Sequence, residues 1–148
     1  MKIKLALGFL FLMSGFSHIS AQKVKHLTIT FKYQFVHDEG EAELINTRLK
    51  VYVDDVVKGV SLEKKEAEAN HVTVEIPEGH HKVRAVIESE YEGNWEEHTI
   101  ANEYSIDCVY QHEDDYKKHV RVDIIFDTIK GTIVKEVAHS NGPFNSVF

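Results

Sequence analysis

From residue 26 the chain alternates apolar and polar positions with a period of two. Leu27, Ile29, Phe31, Tyr33 and Phe35 share one face, and His26, Thr28, Thr30, Lys32 and Gln34 share the other. Successive side chains of a strand point to opposite sides, so this pattern predicts a strand buried on one face. The turn-like His37-Asp38-Glu39-Gly40 follows. A second strand then carries Leu49, Val51 and Val53 inward and Arg48, Lys50 and Tyr52 outward, and Asp54-Asp55 turns the chain into a short strand over residues 56–60. Residues 61–70 are polar. Glu63-Lys64-Lys65-Glu66-Ala67-Glu68-Ala69 could support two helical turns but offers no apolar stripe to dock, so the segment reads as a loop or a short surface helix.

Residues 71–76 and 80–89 alternate again, around Pro77-Glu78-Gly79. With Glu78-Gly79 as a two-residue turn, Val72 faces Ala85, Val74 faces Val83, Ile76 faces His81 and Glu75 faces Lys82; a slip by one residue would set Val74 against Lys82. Further strands are expected over residues 95–100, 103–111, 120–126 and, more weakly, 132–137. In the second of these Tyr104, Ile106, Cys108 and Tyr110 share the inward face, and in the third Val120, Val122, Ile124 and Phe126 do. About eight short strands at roughly ten-residue spacing, without an amphipathic helix, predict an all-β fold: an antiparallel, immunoglobulin-like β-sandwich over residues 22–137. Residues 138–148 lack periodicity and read as a loosely held tail.

Residues 1–21 have the three parts of a secretory signal peptide: Lys2 and Lys4, an apolar run from Leu5 to Met13, and the small pair Ser20-Ala21 before Gln22. The run is too short to span a bilayer, so no transmembrane segment is expected after cleavage. The chain is thereby placed in a secreted or periplasmic setting, a Gram-negative-type envelope. Over all 148 residues, 24 Asp and Glu stand against 17 Lys and Arg, a formal net charge of −7, and cleavage removes two of the lysines. That sign argues against nucleic acid as a partner and fits a basic partner or a cation. Cys108 is the one cysteine, and its place on an inward face predicts a buried thiol.

Lys50-Val51-Tyr52-Val53-Asp54-Asp55, followed by Val74-Glu75-Ile76-Pro77-Glu78-Gly79-His80-His81-Lys82-Val83, resembles the PEGA-like and related immunoglobulin-like modules of bacterial envelope proteins. Those modules place a V-x-V-D-G hairpin before an apolar-Pro-x-Gly-x-His-x-Val hairpin, and here Asp55 stands in the turn-glycine position. The resemblance implies an envelope spacer or binding domain and brings no catalytic residues with it.

Candidate chemistry is sparse. There is no G-x-S-x-G, no phosphate-cradling glycine loop and no H-x-H or H-E-x-x-H spacing, so a small hydrolase is the remotest of the readings considered. His80, His81 and His98 are the histidines to test as metal ligands; adjacent His80 and His81 would point to opposite faces of a strand. The densest feature is the segment over residues 88–97, with Glu88, Glu90, Glu92, Glu96, Glu97, Tyr91 and Trp95 and no base. With Gly93-Asn94 as a hairpin turn, Glu90 lies opposite Glu97 and Ser89 opposite His98. Like charges placed opposite are unfavourable. Calcium, Lys64-Lys65, Lys117-Lys118 or a basic partner would compensate. Glu88, Glu90, Glu92, Trp95 and Glu97 are therefore the candidate partner- or cation-binding residues. The function expected is non-catalytic binding of a basic protein or envelope component through this acidic hairpin. An inhibitor or immunity-type protein seated in a basic active site, or a glycan-binding module using Trp95 and Tyr91, are the alternatives.

Overall fold

The alternation of residues 27–35 lines one wall of the core. In the computed structural model, which describes residues 24–36 and 45–139, Leu27, Ile29, Phe31, Tyr33 and Phe35 are all buried. They lie on β1 (His26–Val36) and face Leu49, Val51 and Val53 of β2 (Asn46–Val53) across the core. Then come β3 (Val56–Val60), the two-residue β4 (Lys64–Lys65), β5 (Asn70–Pro77), β6 (Gly79–Tyr91), β7 (Asn94–Glu97), a 3-10 turn at Ile100–Asn102, β8 (Val109–Tyr116), β9 (His119–Asp127) and β10 (Gly131–His139). The expected leader, the turn at residues 37–40 and residues 140–148 of the expected tail lie outside the described residues. No helix among the described residues is long and apolar enough to cross a membrane.

Two sheets make an all-β sandwich. One has the order β10-β9-β1-β5; the other runs β3-β2-β6-β7, with β4 also on β2 and β8 also on β6. Pairing is antiparallel except between β1 and β9, which run parallel with Phe31 beside Val122 and Phe35 beside Phe126. Val72, Val74 and Ile76 from one sheet and Val83, Ala85 and Ile87 from the other join the same cluster. Fully burying each such aliphatic side chain contributes roughly 1.5–3 kcal/mol.

Four expectations are corrected. The predicted hairpin at Pro77-Glu78-Gly79 is a corner: β5 pairs with β1, setting Ile76 beside Leu27 and Val74 beside Ile29, whereas β6 pairs with β2 and β8. Val74 and Val83 are both inward, but on opposite sheets. The expected strand over residues 95–100 stops at Glu97 and gives way to the 3-10 turn. The expected strand over 103–111 begins only at Val109, although Cys108 is fully buried as anticipated. The polar stretch 61–70 is neither a helix nor wholly a loop, since Lys64–Lys65 pair with Asn46 and Thr47 on β2 and Glu66 turns inward to burial.

One flank of the sandwich is shut. A Cβ on Gly59 of β3 would lie 2.7 Å from Cγ1 of Val74 on β5, so only glycine lets these two edge strands approach. On the opposite flank, β8 and β10 are joined by Tyr110, whose hydroxyl donates to Glu136 at 2.5 Å.

Candidate functional site

The β6–β7 hairpin turns at Glu92-Gly93, one residue earlier than expected. Both residues have positive φ, 49° and 81°, as a two-residue turn of the primed type requires. Tyr91 therefore faces Asn94, Glu90 faces Trp95, Ser89 faces Glu96 and Glu88 faces Glu97. The shift displaces each pair by two residues, so every side chain keeps its predicted face. Glu88, Glu90, Trp95 and Glu97 lie on the outer face of the sheet, and Tyr91 lies on the other side.

Two carboxylates are still opposite one another, and the outer face answers them with three cations from the hairpin's own sheet. Arg48 Nε donates to Glu88 at 2.7 Å and Lys50 Nζ to the other Glu88 oxygen at 2.8 Å. Arg84 holds Glu97 in a bidentate pair at 3.0 and 2.5 Å. Lys64 instead donates to the Ala69 carbonyl, and Lys117 pairs with Asp115. The Arg84 guanidinium holds the Glu97 carboxyl below the usual carboxylate range and is itself pushed up. The hydrogen bond to Glu88 raises Lys50 above an ordinary lysine. Glu88 is almost fully enclosed, at 5% side-chain exposure; a carboxylate so placed is tolerated only with its lone pairs occupied.

The rest of the face follows from that. Arg48 Cζ lies 4.1 Å from the Trp95 ring centroid, a cation–π contact. Asn46 Nδ2 donates to Glu90 at 2.7 Å. Lys50 and Arg84 both lie over the Tyr52 ring, 5.7 and 5.3 Å from its centroid. Four of the five predicted site residues thus sit together, yet Glu88 and Glu97 are committed internally and Glu90 is capped. Glu92 is in the turn and exposed. A calcium ion would have to displace Arg48, Lys50 or Arg84 to reach the opposed pair.

The histidines are not brought together. His80 bonds Glu113 at 2.9 Å and is raised above an ordinary histidine by it. His81 meets Asp54 at 2.7 Å and the Pro77 carbonyl at 3.0 Å. Buried His98 bonds the Ser89 hydroxyl at 3.0 Å and stacks on Tyr104 with centroids 4.1 Å apart. Among the described residues no group of three or more His, Cys, Asp or Glu side chains could hold a metal ion. Ser89 is only 1% exposed, so its bond to His98 is an interior contact rather than an activated nucleophile. Burial pushes the Cys108 thiol up, aided by nearby Glu66 and Asp107, and the side chain is fully enclosed.

Behind the hairpin lies a feature that the sequence did not suggest. Tyr91, Glu96, Asn102, Glu103 and Tyr104 line a cleft of about 410 Å³. Tyr104 is positioned by its stack on His98, and burial, with Glu96 nearby, raises its hydroxyl above an ordinary tyrosine. Asn102 Nδ2 donates to the Glu97 carbonyl at 2.7 Å, tying the 3-10 turn to β7. Tyr91 is 60% exposed. No local pattern announces the cleft, because its walls come from two segments whose approach depends on the end of β7. No family model matches the chain, and a search of curated proteins finds no match.

Proposed function

We propose that the protein is exported to the bacterial envelope and there binds a basic protein partner, without catalysis, through the β6–β7 hairpin. The observation that carries this reading is the division of labour among the hairpin's acids. Glu88 and Glu97 lock the hairpin to Arg48, Lys50 and Arg84, while exposed Tyr91, Glu92 and Glu96 remain at its end. A surface held in advance loses little conformational freedom on binding, and exposed tyrosine beside carboxylate suits a basic partner. The signal-like leader, the acidic balance and the resemblance to envelope modules support the same setting. The glycan alternative is weakened at Trp95, because Arg48 already occupies one face of its ring.

Affinity capture from an envelope extract tests the reading, with wild type compared against Tyr91→Ala combined with Glu92→Gln. A partner retained by wild type at low salt, and lost both at high salt and with the variant, is the expected result. Equal capture by the variant would remove the hairpin from the interaction. Export is tested separately by mass spectrometry of the protein recovered from periplasm or medium, where the chain should begin at or near Gln22.

A further inference from the structure

We infer that the cleft behind the hairpin receives a cationic side chain, the ammonium of a lysine or the guanidinium of an arginine; this rests on the reading above and names the chemistry of its contact. The cleft has the parts such a group needs. Tyr91 and Tyr104 supply two aromatic rings, one exposed and one half-buried, and ring faces attract a cation brought close to them. Glu96 and Glu103 supply two carboxylates on the cleft wall, and Asn102 an amide. No base lines it. The cleft at the other flank differs: it mixes His112, Asp114 and Asp115 with Lys117 and Lys118, and Lys117 already pairs with Asp115 at 2.8 Å.

The cleft is also held in shape. Tyr104 stacks on His98, which is buried and bonded to Ser89, so its ring is oriented from beneath. The backbone N–H of Glu103 closes the 3-10 turn on the Ile100 carbonyl, and that of Tyr104 donates to the Thr99 carbonyl. Asn102 fastens that turn to β7. Glu96, opposite Ser89 on β7, is fixed by the hairpin register. The hairpin, through Tyr91 and Glu96, and the segment that follows it, through Asn102, Glu103 and Tyr104, thus make one concave site.

The test uses the full mature chain, labelled with nitrogen-15, and three neutral-backbone probes: Nα-acetyl-arginine amide, Nα-acetyl-lysine amide and the uncharged Nα-acetyl-citrulline amide. A single side chain in such a cleft should bind with a dissociation constant in the millimolar range. The arginine or lysine probe should give saturable shifts at the amides of Tyr91, Asn102, Glu103 and Tyr104, weakened by added salt. Citrulline should give none at the same concentrations. Glu96→Gln with Glu103→Gln alters two exposed side chains, leaves the spectrum otherwise unchanged, and should weaken binding by about tenfold. Binding of citrulline equal to arginine, shifts centred instead on Asp114 and Glu136, or unaltered binding by the double variant would each overturn the inference. Retention of a partner through Tyr91 with no cation binding would sink the cleft and leave the hairpin reading standing. Cation binding with no hairpin-dependent partner would do the reverse.

Discussion

Two turns in this molecule look alike in sequence and do opposite things. Pro77-Glu78-Gly79 and Glu92-Gly93 both place a glutamate before a glycine of positive φ, 139° and 81°. The second closes a hairpin within one sheet, whereas the first carries the chain from β5 in one sheet to β6 in the other. Turn chemistry states that the chain bends; it does not state which strand lies alongside afterwards. For β5 that choice falls to β1, whose Leu27, Ile29 and Phe31 meet Ile76, Val74 and Val72 in register. The fastenings differ accordingly. At the corner, His81 and the Lys82 amide both bond Asp54 of the β2–β3 turn, and the Glu78 amide donates to the Lys25 carbonyl. At the hairpin, arginine and lysine from the same sheet hold carboxylates across three strands.

The hairpin should suffer most from Glu88→Ala. Removing the enclosed carboxylate takes from Arg48 and Lys50 the acid that both bond; breaking a fully buried pair costs about 3–5 kcal/mol, and their exposure of about a quarter reduces this to roughly 2–3 kcal/mol. Urea unfolding gives the value, and adding Lys50→Met should recover part of it by taking away one of the two cations. A loss below about 0.5 kcal/mol would mean that the outer-face network is loosely solvated.

On the flank where β5, separated from β6 by the corner, meets β3, the corresponding variant is Gly59→Ala. Its Cβ would come within 2.7 Å of Val74 Cγ1 and 3.3 Å of Val72 Cγ2, so a destabilisation of about 1–3 kcal/mol is expected from overpacking. Val74→Ala in the same chain should relieve the clash, making the two changes non-additive. Were β5 the hairpin partner of β6, Val74 would lie away from β3 and Gly59→Ala would be neutral.

These contrasts mark what was legible. The inward and outward faces of β1, β2 and β9 follow from period two, because one wall of each is buried. The burial of Cys108 follows too, although its backbone meets His98 and Ile87 just before β8 begins. Lateral neighbours were not legible, since inward residues that face each other across a core have the same periodicity as residues that stand side by side. Val74 and Val83 satisfy either arrangement. The compensating cations were hidden for a related reason: Arg48 and Lys50 lie about forty residues from Glu88 and reach it only through the β2–β6 pairing. The buried Glu66 and the cleft walls depend on the irregular segments after β4 and β7, where no period operates.

A smaller effect is expected at the hairpin turn itself. Gly93→Ala places a side chain at φ 81° with open space around it, so only the backbone penalty of about 1 kcal/mol applies. Gly93→Asn should cost less, because asparagine visits this region more readily. Equal stability of all three chains by thermal melting would argue against a positive φ at residue 93.

The smallest effects concern pH, and they separate the two turns by sign. At the hairpin, Arg84 lowers the Glu97 carboxyl below its ordinary 4.5. Its contribution is therefore complete above that value and is lost as pH falls through the lower, folded-state value. Glu97→Gln should flatten the acid limb of the stability curve and leave its slope near neutrality alone. Beside the corner, Glu113 raises His80 above its ordinary 6.5. That contribution is complete below 6.5 and disappears as pH rises through the folded-state value. His80→Gln should accordingly be less stable than wild type in mildly acidic buffer and indistinguishable from it at about pH 9. His80 is exposed, so the difference will be a small shift in urea midpoint, best read from paired titrations. A His80→Gln deficit that grew with rising pH would contradict the assigned pairing with Glu113.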